Sequence, residues 1–450
     1  STVLLFFTPF YLACVRKVRG GLFAANSSKL IVIFHFLPVI FGVVGIGFYN
    51  AELWMGLETY LTNDMRILVA FQSIIAINFM LFFIWTFRNK FKLLDQFSPI
   101  KTKILPWYIV PKLPFLIFCF TLFLYSFELL RLPAIPIYET IVNGPIAGAI
   151  ARGLVIDFQI ANGLPGFGYI LYFFPVISLT WLYTQYLDRK IKFMFWFYAA
   201  LYFGFNAIFL SKSAFIPAFM MFMWVRYSKK NILFDYKIMI SAILVVGFFF
   251  SLLAYESLGD LIVQILRRAF FGQVEGMFLI REFYTAPDIG ALLYGVPGKD
   301  LLGFYSFDPS VEIINKVFGD SVEGFVNMNS FYIGQGYVMV GNLILILGPL
   351  AYAFNIWLIF KLGTFFPRCN TIGILNIIQF FFILTLSINT NFALLLFFRP
   401  ILGFLILSIF FELMCILSQT YKTKSLSQAN FPKKASNLNN TYLKLKNLSI

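Results

Sequence analysis

The sequence predicts an all-α polytopic membrane protein with about eleven transmembrane helices, and three observations carry that prediction. Only 12% of its residues are charged and 60% are hydrophobic, where a soluble domain carries roughly 25% charge. Apolar runs close to the ~20 residues that cross a bilayer recur along the whole chain. Lysine and arginine also fall mostly in connections that alternate along it, as the positive-inside rule requires.

The long apolar runs lie at 29–49, 66–87, 112–130, 166–187, 193–211, 238–255, 336–360, 371–388 and 393–417, with shorter ones at 2–15 and 213–226. None reads as a cleavable signal peptide, because a positive n-region and a small-residue cleavage site are both missing. Six connections are basic: "RKVRG" with Lys29, 88–112, "DRKIK", "RYSKKN" through Lys237, Lys361 with Arg368, and the tail after 418. Together they hold 25 of the 35 Lys and Arg. Placing all six in the cytoplasm leaves 50–65, 131–165, 256–335 and short turns near 211 and 389–391 outside. The net charge of +15 is then a topology signal, and no nucleic-acid partner is needed to explain it.

Residues 1–418 read as one transmembrane domain. Residues 419–450 read as a basic, polar, disordered cytoplasmic tail, whose lysines favour anionic membrane lipid. The four cysteines, Cys14, Cys119, Cys369 and Cys415, fall in spans or on the inner side and imply no disulfide framework. His35 is the only histidine, has no partner at ligand spacing, and reads as a core residue on the inner side. No metal site or cofactor is therefore expected.

The two long outer connections differ in kind. Residues 131–165, "RLPAIPIYETIVNGPIAGAIARGLVIDFQIANGLPGFG" through 168, are too apolar for a solvated linker and too broken by Gly and Pro for a span. They are expected to fold back onto the membrane-domain surface as short helices. Residues 256–335 exceed ordinary connection lengths, and long ordered loops tend to be functional. Their opening, 260–284, reads as one amphipathic helix at the outer membrane boundary. Arg268, Gly272, Glu275, Leu279 and Glu282 share one side, and Arg267, Val274 and Arg281 form an adjoining stripe.

Ten basic residues break the positive-inside trend: Arg66, Arg131, Arg152, Lys212, Arg267, Arg268, Arg281, Lys299, Lys316 and Arg399. For Arg267, Arg268 and Arg281, snorkelling to lipid phosphate or pairing with Glu275 and Glu282 is the plain reading. The functional reading is a cationic cradle for a phosphorylated or acidic substrate, since guanidinium grips phosphate bidentately and stays charged. Arg152, followed by Asp157 and then by Gly163, gives an Arg-x10-Gly spacing in the first outer connection; Arg152 serves equally well as a helix cap. Arg399 lies about seven residues into the last span, where a charge costs roughly 2.5–3.5 kcal/mol, and Pro400 favours a kink beside it. A general base, if the chemistry needs one, would be a carboxylate: Asp157, Glu256, Glu275 or Glu282. "GQGYVMVGN" at 334–342 supplies glycines for close helix packing or for a broken helix. No P-loop, GxSxG or HExxH pattern is present.

In layout the chain resembles the O-antigen polymerase family. The resemblance rests on the aromatic-rich spans, two outer loops of this size, Arg152 to Gly163, the arginine-rich start of the second loop, and "FYIGQGYVMVGNLILILGPL" after it. In that family a second Arg-x10-Gly follows in the later loop; here Arg281 is followed by Gly290 and Gly295, neither at that spacing. The resemblance implies a C-type glycosyltransferase-like fold with two long periplasmic loops in the bacterial inner membrane. It further implies transfer of a glycan from undecaprenyl pyrophosphate to the non-reducing end of an incoming lipid-linked repeat unit. No nucleotide, metal or other cofactor is implied, because the leaving pyrophosphate is already activated. A polysaccharide chain-length regulator is implied as a partner. Arg268 and Arg281 would stabilise the leaving charge and Glu275 would take the hydroxyl proton, making these three the catalytic candidates. Arg152, Gly163, Asp157, Arg267 and Arg399 would bind pyrophosphate or glycan.

Three alternatives stand beside this reading. An O-antigen ligase would want an outer-loop histidine, which 256–335 lacks. A flippase for the same lipid-linked glycans would want charges within a central cavity, where this chain has few. A glycan acyltransferase would want a catalytic histidine, and His35 stands near the other face.

Overall fold

The computed structural model describes residues 27–49, 58–91, 112–162, 167–188, 191–210, 212–230, 271–296, 303–318, 328–386 and 392–418, with isolated positions between 236 and 267. Every regular element among them is helical. Five segments are long and apolar enough to cross a membrane: Asn63–Phe83, Leu113–Arg131, Tyr169–Leu187, Tyr332–Gly363 and Arg399–Ser418. These findings define an all-α membrane protein. The apolar runs at 2–15 and most of 238–255, Arg268, Gly163 and the tail 419–450 lie outside the described residues.

The helices follow the apolar runs closely. They are α1 (Ser27–Tyr49), α2 (Asn63–Phe91), α3 (Leu113–Arg131), α4 (Pro136–Asn143), α5 (Pro145–Asn162), α6 (Phe174–Leu187), α7 (Lys192–Ile208) and α8 (Lys212–Lys230). After the long connection begins come α9 (Glu275–Phe283), α10 (Ile289–Leu293), α11 (Pro309–Phe318), α12 (Tyr332–Val340), α13 (Ile344–Gly363), α14 (Pro367–Thr371), α15 (Ile374–Leu384) and α16 (Phe392–Leu396). The last is α17 (Arg399–Ser418). Prolines stand at the first turns of α3, α4 and α6, where the missing N–H would have been unpaired anyway.

Packing relies on small residues and rings. A Cβ on Gly47 of α1 would collide with Ala70 Cβ on α2, so these helices meet through a small-residue contact, as membrane helices commonly do. Deep in the bundle Trp224 stacks on Phe380 with centroids 4.4 Å apart. Several buried hydroxyls return to their own helix, as with Ser73 Oγ to Val69 O at 2.7 Å and Thr180 Oγ1 to Val176 O at 2.7 Å, so these need no water in the core.

Four contacts gather both long connections at one end of the bundle. Thr62, just before α2, donates to Glu282. The Tyr169 hydroxyl donates to Arg399 O at 3.3 Å, and Arg399 Nη2 donates to Val296 O at 3.3 Å. Gln159 of α5 donates to Glu128 near the end of α3 at 2.8 Å. The opposite end carries the Lys229–Asp188 and Arg368–Glu412 ion pairs, at 2.7 and 3.2 Å.

The structure departs from the sequence reading at three places, all at the loop end. The run 336–360 is broken: α12 stops at Val340, Gly341 adopts φ +65°, and a single 3-10 turn leads into α13. The run 393–417 is also broken, because α16 ends at Leu396 and Phe398 turns the chain with φ +56°. The segment 260–284 is not one helix, for a turn occupies 271–274 and α9 begins only at Glu275. There the Gly272 N–H reaches back to Arg267 O at 3.0 Å.

Candidate functional site

The site is built around α9. Val274, Met277, Phe278, Leu279 and Ile280 are fully buried, and so nearly are Glu275 and Arg281, at 1% and 5% exposure. The expected amphipathic helix lying at the membrane boundary is therefore corrected: α9 is inserted among α2, α11 and α12. Glycines make the insertion possible. The Gly276 N–H donates to Asn329 O at 3.1 Å, and a Cβ on Gly334 would stand 2.7 Å from the Met277 Cα. Backbone contact this close tolerates no side chain on α12 at that point.

Glu282 anchors the far end of α9. Its Oε2 accepts from the Thr62 N–H at 3.3 Å and the Thr62 hydroxyl at 3.1 Å. Thr62 itself begins α2, accepting from the Arg66 N–H at its carbonyl. A carboxylate at a helix N-terminus meets both the open N–H groups and the positive dipole end. Glu282 is thus spent on docking.

Arg281 is held differently. Its guanidinium carbon lies 3.2 Å from the centroid of the Tyr337 ring, and the Tyr337 hydroxyl donates to Thr285 O at 3.0 Å, which fixes the ring. The Arg281 Nε is buried without a hydrogen-bond partner among the described residues, and no carboxylate among them forms an ion pair with Arg281. Neither Glu275 nor Glu282 pairs with Arg281: Glu275 stands six residues earlier, about 120° around the helix and ~9 Å along it, and Glu282 binds Thr62 instead.

Beside α9 the two broken segments meet. The short α16 is held at both ends by buried amides: Gln335 Oε1 accepts from the Phe392 N–H at 2.7 Å, and Asn355 Nδ2 donates to Leu395 O at 3.1 Å. The Tyr332 ring fills the space left by Gly348 and lies 5.0 Å from the Phe392 ring. Non-helical backbone at membrane depth survives only where protein or a water-lined space satisfies it, and these amides do so. A π-helical turn at Tyr169–Phe173 packs on the start of α17, where Gly403 receives the Tyr169 ring. Such turns are frequent at functional sites.

The remaining predicted residues divide. Arg399 is not seven residues inside a span. The turn at Phe397 and Phe398 makes it the first residue of α17, with Pro400 in the first turn, and its guanidinium ties α17 to the carbonyl of Val296 in the long connection. Arg267 is half-buried, and its carbonyl accepts the Phe271 and Gly272 N–H groups. Arg152, half-buried, and Asp157 lie on α5, in a hairpin with α4 that docks on α3 through Gln159. They belong to a different part of the loop end from Arg281. The side chain of Asp157 lies outside the described ones, as do Arg268 and Gly163 entirely.

Tyr337, Gln335 and Asn355 were missed as site residues. The first two sit inside the glycine-rich stretch that did stand out in the sequence, so proximity to those glycines was the available signal. Asn355 offered one too, as an amide in the middle of an apolar run. Comparison with protein-family models, curated proteins and solved structures finds no match.

Proposed function

We propose that the chain is a glycosyltransferase that polymerises lipid-linked oligosaccharide repeat units of a surface polysaccharide, with its long connections on the periplasmic face of a bacterial inner membrane. In this reading about eleven spans support the site. The observation that carries it is Arg281: a nearly buried arginine, stacked in place, with no counter-ion among the described residues. An uncompensated buried charge is costly, and a ligand anion is the natural compensation. A pyrophosphate suits a planar guanidinium.

In the proposed reaction the bond from the anomeric carbon to the pyrophosphate oxygen breaks as the acceptor hydroxyl attacks. Undecaprenyl pyrophosphate leaves with its charge against Arg281, assisted by Arg267 and Arg268, which come earlier in the sequence. The hydroxyl's proton passes to a carboxylate, for which Glu275 at the head of the same helix is proposed. Preorganised donors in a site of low dielectric supply most of the stabilisation such a step needs.

A second reading, a transporter for the same lipid-linked glycan, draws support from the paired helix breaks at Gly341 and Phe398, since broken helices line transporter sites. One experiment separates the two. Purified full-length protein in detergent is given synthetic undecaprenyl-pyrophosphate repeat units without nucleotide sugar or metal. A ladder of longer glycans that Arg281→Ala abolishes supports the polymerase. No ladder, with labelled substrate crossing a liposome bilayer instead, replaces it with the transporter.

A further inference from the structure

Just past Arg281 in the chain, the long connection builds a second cluster that none of the chemistry above uses. Tyr305 is 72% exposed, yet it is firmly seated: its ring rests on Gly290, where a Cβ would come within 2.9 Å of it. The next ring, Phe307, lies 5.9 Å away at 42°, and Phe307 stands near-parallel to buried Tyr284 at 6.2 Å and 14°. The backbone beneath is pinned. The Phe307 N–H donates to Gly290 O at 3.3 Å, Asp288 Oδ1 accepts the Gly290 N–H at 2.7 Å, and Asp308 caps α11 through Ser310.

Polar groups converge on the same spot. Lys316 Nζ lies 3.7 Å from the Tyr284 ring centroid and 3.3 Å from Glu312 Oε1. Burial, and next the Glu312 carboxylate, push the Tyr284 phenol well above its ordinary value, with Tyr305 and Asp288 adding to the effect. Asp288 Oδ1 lies beside the Tyr305 ring, for both would meet a Cβ on Gly290, at 3.1 and 2.9 Å.

We infer that Tyr305, with Glu312, Asp288 and Lys316 around it, forms a binding shelf for a neutral pyranose ring. The chemistry selects this class. A ring laid against Gly290 keeps a flat apolar surface open to solvent, which suits the C–H face of a sugar. Two carboxylates and one ammonium beside it provide acceptors and a donor for hydroxyls. The same pair of carboxylates disfavours phosphate, so the shelf differs in kind from the Arg281 region. A few convergent polar groups against an aromatic wall are what small-ligand sites share. The inference rests on the proposed function only in taking this face of the protein to meet glycan.

The test is saturation-transfer NMR on the full chain in detergent, with a panel of neutral hexose and N-acetylhexosamine oligomers as probes. Binding needs no turnover, so Arg281→Ala protein should bind as wild type does, and loss of polymerase activity would leave the result intact. Wild type and Tyr305→Phe should transfer saturation to ring C–H protons of at least one oligomer. Tyr305→Ala should weaken that binding by roughly tenfold, the scale of a lost ring contact. Glu312→Gln, which keeps the shelf, should weaken it several-fold. Because Tyr305 is exposed, its removal leaves the unfolding midpoint unchanged, and that measurement accompanies each variant. Equal signals from wild type and Tyr305→Ala, or none from any oligomer, would overturn the inference.

Discussion

Arg131 and Arg281 are both arginines at the loop end, both lie against aromatic rings, and their surroundings are opposite. Arg131, at the end of α3, has Glu128 Oε2 at 3.9 Å, and the Phe127 and Phe158 rings at 5.2 and 5.7 Å. Its side chain is 26% exposed. Arg281 is buried, lies on Tyr337 and has no carboxylate partner among the described residues. The hairpin region thus neutralises its charge locally and shows water or lipid an apolar face, with Ile146, Ile150 and Leu154 all exposed. The α9 region buries its charge and leaves it open. Outer position alone therefore does not set an arginine apart; burial without a counter-ion among the described residues does.

The largest expected effect breaks or confirms that contrast directly. Arg281→Ala should lower the rate of glycan elongation by about a hundredfold or more, the loss typical of one preorganised donor to a leaving charge. Arg131→Ala should leave the rate within about twofold, since its charge is already met by Glu128 and has no part in the proposed step. Arg281→Met should leave the unfolding midpoint unchanged or raise it, because replacing an unpaired buried charge by an apolar chain relieves desolvation. Equal rate losses in the two alanine variants would erase the distinction.

Next in size is the packing difference between the same regions. Gly334→Ala forces a Cβ against the Met277 backbone, which lies only 2.7 Å from it. It should cost about 1–3 kcal/mol by overpacking and show as a lowered unfolding midpoint. Gly153→Ala, on α5 with nothing within 4 Å, should instead gain up to about 1 kcal/mol, the helix propensity difference between the two residues. A neutral Gly334→Ala would mean that α9 and α12 do not touch as described.

Smaller again is the anchor. Glu282→Ala removes the acceptor for both Thr62 donors and should cost about 1–2 kcal/mol, as losing a helix cap does. Amide exchange should quicken at Phe283 and Tyr284 before it quickens elsewhere in α9. Uniform exchange along α9 would show that Glu282 does not hold it.

The sequence makes the helices legible and the site only partly so, for a physical reason. Hydrophobicity over a span-length window reports the cost of leaving the bilayer, which is why the run at 112–130 appears as Leu113–Arg131. Backbone continuity is invisible to that measure. Gly341 hints at a break, but Phe398 sits amid apolar residues, and only the packing of α16 between Gln335 and Asn355 forces its positive φ. The burial of α9 was equally hidden. Its charged stripe is what a surface helix shows, while the Gly276 and Gly334 contacts that draw it inward link residues far apart in the chain. The pairing of Arg281 with Tyr337 depends on the same long-range approach.

The smallest effect concerns Tyr284, where the aromatic shelf joins α9. Burial and the Glu312 carboxylate raise its phenol above the ordinary value near 10. A group whose folded pKa is raised contributes stability that is fully present below the unfolded pKa, about 10 for tyrosine. That contribution falls away as pH rises through the folded value, because the unfolded chain releases its proton first. Tyr284→Phe should therefore match wild type in unfolding midpoint at pH 7, when no proton is at stake. Above about pH 10 the variant should lose less stability with each step in pH than wild type does. Parallel curves for the two proteins would mean that Tyr284 is hydrated in solution, and the shelf above it would then be looser than its contacts indicate.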